Sequence, residues 1–161
     1  MKRLAYERSD LLDAVDREIL EMLVSNARTT TAELARAIGL SAPSVAERVK
    51  RLEEAGVITG YSATISPQAL GLPISAWLRV RPVPGELDRV ARIVRGIPEI
   101  TECDRVTGDD CFLARAHLRS VADLERVIDQ IIPYAMTNTS VIQSSPVAPR
   151  LPPLNGANAK D

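Results

Sequence analysis

Two short stretches of this 161-residue chain hold side chains whose types and spacing can do recognition chemistry. In residues 39–56, G-L-S-A-P-S-V-A-E-R-V-K-R-L-E-E-A-G, the polar set Ser44, Glu47, Arg48 and Arg51 recurs within three or four positions, the spacing that gathers side chains on one side of a helix. A guanidinium fork matches the O6/N7 edge of guanine or a pair of phosphate oxygens, and a serine hydroxyl near a helix N-terminus reaches either. The second stretch is T-G-D-D, residues 107–110. Gly108 permits a positive φ, so consecutive backbone N–H groups can converge on a carboxylate. Asp109 or Asp110 beside it can hold an ammonium, and an α-amino acid presents both charges. The same four residues are also turn formers, and a plain hairpin turn accounts for them too. Thr137, Asn138 and Thr139 could add donors, although a threonine-rich run also reads simply as strand.

The elements that must carry these residues follow from local signals. Asp13 caps a first helix with apolar positions Val15, Ile19, Leu20, Leu23 and Val24 and with Asp16 at its third position. Thr30 and Glu33 form a capping box for a second helix that stops at Gly39. Ser41 caps the third, whose apolar stripe is Val45, Val49 and Leu52; on this reading Ser44, Arg48 and Arg51 face outward, flanked by Lys50 and Glu47. A capped helix with an apolar back, a cationic front and a preceding helix-turn is the form in which proteins enter a DNA groove. Thr30 and Thr31, at the start of the second helix, are placed to donate to a phosphate. V-I-T-G-Y-S-A-T-I, residues 57–65, reads as a two-stranded wing with Tyr61 at its edge.

From residue 74 onward strand and helix signals alternate. Strands are expected at 74–81, 100–106, 111–118 and 137–143. Helices are expected at 86–97 and from Ser120 to Pro133, the latter with Val121, Leu124, Val127, Ile128 and Ile131 inward. The order β-α-β-β-α-β is the split βαβ of ferredoxin-like domains, whose sheet keeps one face free of helices and so invites self-association. The expected division is a DNA-binding domain over 1–65, a linker over 66–73, a βαββαβ domain over 74–145 and a largely disordered proline-rich tail over 146–161.

Composition bounds the partners. A net charge of −1 and a pI near 5.9 argue against a non-specific nucleic-acid coat protein but not against a local DNA-reading patch. No apolar run approaches the roughly 20 residues that span a bilayer, and the N-terminus lacks a signal-peptide core, so a cytoplasmic protein with no membrane partner is expected. Cys103 and Cys111 lie on opposite arms of the hairpin. If Val106 pairs with Cys111, Cys103 points to the opposite face; in the shifted register the two thiols are too far apart to bridge, so both are read as reduced. One histidine, His117, and two separated cysteines make no metal site, and no phosphate loop, nucleophile elbow or triad is present; no cofactor and no catalytic residue are expected.

Taken together, L-D-A-V-D-R-E-I-L, L-A-R-A-I-G-L-S-x-x-S-V-x-x-R-V-K-R-L-E-E-A-G-V-I-x-G-Y, V-T-G-D-D-C-F-L and P-Y-x-x-T-x-T-S-V make the chain, over about residues 12–150, resemble the Lrp/AsnC (feast/famine) family of transcriptional regulators. The resemblance implies an α+β protein: an N-terminal winged helix-turn-helix followed by a ferredoxin-like βαββαβ domain of the RAM/AsnC type. It implies that double-stranded DNA is held by Thr30, Thr31, Ser41, Pro43, Ser44, Glu47, Arg48, Lys50 and Arg51. It also implies a small effector, typically an amino acid, at Thr107, Gly108, Asp109, Asp110, Thr137, Asn138 and Thr139, and a homodimer assembling to octamers. Where many members read Gly-Asp-Tyr-Asp at the turn, this chain has Cys111 in the last place, and Ala135 replaces a usual glycine. Sirohaem-decarboxylating enzymes resemble the same two-domain plan, but they use histidine and basic residues around a tetrapyrrole, and this chain has the lone His117.

Overall fold

The structure, a computed structural model, describes residues 12–151 and Leu154. The chain divides into two compact units, one of residues 1–63 with 149–161 and one of residues 64–148. Most of the tail expected to be disordered, and the first eleven residues, lie outside the described residues.

The first unit is built from three helices: α1 (Ala14–Ser25), α2 (Thr31–Ile38) and α3 (Ala42–Glu54). Each begins where a side chain replaces a missing intrahelical partner. Asp13 and Asp16 form a reciprocal capping box, as do Thr30 and Glu33, and Ser41 Oγ accepts from the Ser44 amide at 3.3 Å. Gly39 ends α2 with φ +77°, a conformation that costs any other residue. Ile19, Leu20, Leu34, Ala35, Val45 and Leu52 form the buried core, with Val49 and Leu154 packed against it. Ser41→Ala is expected to destabilise this unit by about 1 kcal/mol, measured as a lower denaturant midpoint. Val24, expected inward, is half-exposed in the last turn of α1.

The expected wing strands do not form. Residues 57–65 contain no strand; Val57 and Ile58 donate back to Leu52 O, and Tyr61 Oη donates to Glu53 Oε1 at 2.8 Å. Two short strands without a third to lean on are marginal in water, and here the segment spends its bonds on α3 instead.

The second unit is a four-stranded antiparallel sheet of order β2-β3-β1-β4, with β1 (Ile74–Pro82), β2 (Ile100–Arg105), β3 (Phe112–Leu118) and β4 (Ala135–Val141). Helices α4 (Leu87–Gly96) and α5 (Val121–Ile131) complete the β-α-β-β-α-β order. Period-two alternation turns Ala76, Leu78, Val80, Phe112, Ala114, Ala116, Leu118 and Ala135 into one buried face, against which Val90, Val94, Leu124, Val127 and Ile131 pack. Trp77, Arg79, Leu113, Arg115, Met136 and Asn138 occupy alternate positions on the other face. Val121 is exposed rather than inward, as the first residue of α5. β4 starts at Ala135, two residues ahead of expectation, because the turn after α5 closes at once through Tyr134 N→Ile131 O and Val83 N→Tyr134 O. Residues 66–73, expected as a linker, fall within this unit and include a single 3-10 turn, Gln68–Leu70.

Candidate nucleic-acid interface and effector turn

On α3, steps of 100° per residue place Pro43, Glu47, Lys50 and Glu54 within about 60° of one another, directly opposite Val45 and Leu52. Ser44 and Arg51 lie along one flank, and Arg48 lies on that flank only about 40° from Leu52. Exposure follows this wheel: Ser41, Pro43, Ser44, Glu47, Lys50 and Arg51 are exposed, and Arg48 is half-buried.

The outward placement of Arg48 is therefore corrected. Its Nη1 donates to Asp13 Oδ2 at 2.6 Å and to Asp16 Oδ1 at 2.9 Å, while Arg51 Nη2 donates to Asp16 Oδ2 at 2.6 Å. Asp16 is fully buried, and both its oxygens are taken by guanidinium groups. A buried carboxylate needs such compensation. The two arginines thus tie the third helix to the first, and Arg51, with just over half its side chain exposed, keeps other donors free to face solvent. Sequence reasoning read Asp16 only as a capping partner. The missed signal is its position in the middle of the arc spanned by Ile19, Leu23 and Leu20, where a charge needs a partner from another element.

Electrostatics follow from the same contacts. The Arg48 hydrogen bond, then the Asp16 amide, hold the Asp13 carboxyl below its ordinary value, and Asp13 and Asp16 push the Arg48 guanidinium up. A carboxyl whose folded pKa is depressed contributes stability that is complete above its unfolded value, about 3.9, and lost as pH falls through the folded value. The denaturation midpoint of the N-terminal unit should therefore be flat above about pH 5 and drop below about pH 4, and Asp13→Asn should shallow that drop.

At the start of α2 the hydroxyl of Thr30 is engaged: it donates to Glu33 Oε2 at 2.8 Å and accepts from the Glu33 amide. Thr31, exposed, makes no side-chain hydrogen bond among the described residues, so of the two threonines it is the one with a donor to spare.

In the second unit, Gly108 has φ +110° at the tip of the β2–β3 hairpin, with Val106 N→Cys111 O at 3.0 Å closing the turn. This is the register that sends Cys103 and Cys111 to opposite faces, and both are free thiols. Arg81 lies across the turn: its Nε donates to Asp109 O at 2.7 Å, and its Nη2 stands 3.2 Å from Asp109 Oδ2. Asp109 is almost fully exposed, and Asp110 is half-buried. Thr137 pairs with Val80 across the β1–β4 ladder, and Cys111 N donates to Val80 O, so the turn and the start of β4 share one end of the sheet with β1 between them. Asn138 is on the helix-free face, whereas Thr139 Oγ1, two residues beyond Thr137, is buried and has no partner among the described residues. The turn residues line neither of two clefts in this unit, of about 490 and 430 Å3.

The same two-part organisation recurs in known proteins. Residues 12–59 match the model of a winged helix-turn-helix DNA-binding domain, and residues 75–152 match that of the Lrp/AsnC ligand binding domain. This chain belongs to the Lrp/AsnC family. Among curated proteins it is similar to the HTH-type transcriptional regulator LrpC of Bacillus subtilis, 35% identical over 133 residues covering 83% of this chain and 92% of that one. It is also similar to the proline dehydrogenase transcriptional activator of Rhodobacter capsulatus, 36% identical over 83% of this chain and 91% of the other. The solved structure of B. subtilis LrpC superposes with a TM-score of 0.80 over 83% of this chain and 96% of that one. The feast or famine regulatory protein of M. tuberculosis, solved with L-methionine, does so with a TM-score of 0.80 at 32% identity, over 87% of this chain and 97% of that one. This Lrp/AsnC protein is a DNA-binding transcriptional regulator with a ligand-binding second domain. Among its described residues no helix is long and apolar enough to cross a membrane.

Proposed function

We propose that this Lrp/AsnC regulator binds two-fold-related operator sites as a homodimer, or as an octamer built from four dimers, and that an amino acid shifts its DNA affinity. The observation that carries the reading is the outer surface of α3: Pro43, Ser44, Glu47, Lys50 and Arg51 exposed together on a helix anchored from behind by Asp16. Ser41, Ser44 and Thr31 supply hydroxyls toward the phosphates, with Thr30 and Arg48 acting through cap and anchor. The unit is nearly neutral, nine Lys/Arg against ten Asp/Glu over residues 1–66, so a single copy binds weakly and pairing supplies the affinity. Trp77, Leu113 and Met136 on the helix-free face of the sheet support pairing through that face.

Thr107, Gly108, Asp109 and Asp110, with Thr137, Asn138 and Thr139 nearby, are proposed as this chain's share of the effector site. The relatives solved with L-methionine support an amino acid as ligand. Work on chromosomal DNA implies a cytoplasmic protein.

The test is a mobility shift on the DNA upstream of the regulator's own gene, titrated with each amino acid, L-methionine first. Binding is expected, with the midpoint moved at least five-fold by one ligand, a coupling of about 1 kcal/mol or more. Lys50→Ala should weaken binding and flatten its salt dependence by about one counterion. Absence of a shift at any protein concentration would sink the reading.

A further inference from the structure

Glu47 stands in the middle of the exposed crest of α3, and among the described residues nothing pairs with its carboxylate. That is unusual for its surroundings. Lys50 at i+3 and Arg51 at i+4 offer it standard helical ion pairs, with the acid on the favoured N-terminal side. Each is turned elsewhere. Lys50 leans toward Glu54, Nζ to Oε1 3.8 Å; Arg51 is drawn to Asp16 at 2.6 Å; and the neighbouring Arg48 is held by Asp13 and Asp16. Asp13 and Asp16 balance Arg48 and Arg51, so this cluster sums to no net charge and does not screen Glu47.

A bare carboxylate on a surface that meets DNA is repelled by phosphates and gains nothing from the phosphate field. It is compatible with close approach only where a donor meets it, and in the major groove that donor is the exocyclic amine of a base. The matching of a carboxylate with cytosine N4 is direct: the thymine and guanine edges present acceptors, and the adenine N6 amine lies between two acceptors, its own N7 and the paired thymine O4, which repel a carboxylate. Glu47 is the sixth residue of α3, in the N-terminal half that reaches base edges when a recognition helix lies in the groove.

We infer that Glu47 is a specificity-determining residue that accepts a hydrogen bond from a cytosine N4 amine in each half-site, and that Asp16 serves it by holding Arg48 and Arg51 away. This rests on the DNA-reading role proposed above and deepens it. Glu47 contributes discrimination rather than affinity: without it, unrelated DNA binds better and the operator stands out less.

The experiment uses the full-length chain. A duplex is selected from random-sequence DNA with the wild type, and each base pair of the selected site is then changed in turn. For the wild type, one C·G pair per half-site should be found whose change to T·A weakens binding by about ten-fold or more. In Glu47→Ala that penalty should vanish, penalties at other pairs should remain, and binding to a random-sequence duplex should strengthen several-fold. In Asp16→Asn, compared at equal folded fraction, the penalty should shrink, because Arg51 becomes free to pair with Glu47. An unchanged cytosine penalty in Glu47→Ala overturns the inference, as does an equal loss on selected and random DNA. If the wild type selects no sequence at all, the failure belongs to the operator-reading role itself. Since Glu47 is exposed, its alanine variant should unfold at the wild-type midpoint.

Discussion

Arg48→Ala is expected to lower the stability of the N-terminal unit by about 3 kcal/mol, a larger effect than any it has through direct contact with DNA. Its guanidinium is the only group that bonds both Asp13 and Asp16 among the described residues, and Asp16 is fully buried. Removing it leaves Asp16 Oδ1 without its guanidinium donor, while Oδ2 keeps Arg51 and the Asp13 amide. Breaking a buried pair from one side costs more than the pair is worth, because the surviving charge stays out of water. The cost falls at the low end of that class, since about a quarter of the Arg48 side chain remains exposed. Lys50→Ala is the control: it touches Glu54 at 3.8 Å between two well-exposed groups, and such pairs contribute at most about 1 kcal/mol. Urea denaturation followed by helicity distinguishes the two. An Arg48→Ala midpoint equal to that of Lys50→Ala would show that the guanidinium is simply solvated.

Leu78→Ala should destabilise the second unit by about 2–5 kcal/mol while leaving the first untouched. Leu78 lies at the centre of β1, between Ala114 on β3 and Thr139 on β4, with no exposed surface. The neighbours across the ladders are small or polar and cannot move in to fill a truncated site. The single tryptophan, Trp77, is the adjacent residue and reports this unit alone. Its fluorescence transition should move to lower denaturant, while the helices packed around Ile19, Leu34 and Val45 keep their midpoint because they belong to a separate core. Coincident shifts of both transitions would mean that the two cores unfold as one.

What could be read from the sequence was what local chemistry decides. Asp13, Thr30, Ser41 and Ser120 each announce a helix start, because the group they satisfy is three residues away; all four cap in the structure. The buried face of β1 was legible because Ala76, Leu78 and Val80 alternate with Trp77, Arg79 and Arg81. Contacts between distant residues were not legible in the same way. Arg48 and Asp13 are 35 positions apart, and only the packing of α3 on α1 decides that the arginine turns inward. The wing failed for a related reason: V-I-T-G-Y-S-A-T-I has β-forming residues, but a two-stranded ribbon depends on partners that its own sequence does not contain. At the β2–β3 turn, Gly108 and its freedom to take a positive φ were readable, whereas the reach of Arg81 onto Asp109 came only with the fold.

The two margins of the sheet are not alike. β2 presents Glu102, Asp104 and Arg105, and its ladder slips between Ile100 and Glu102, so an incoming strand would meet charge and a broken register. β4 has no such guard: Met136, Thr137, Asn138, Thr139 and Ser140 carry no charge and no proline. Strand addition is blocked by the first kind of margin and tolerated by the second. Any extended segment that this sheet recruits, from its own chain or another, will therefore be taken up beside β4. Growth in both directions, which a fibre requires, is closed off by the charges at 102–105.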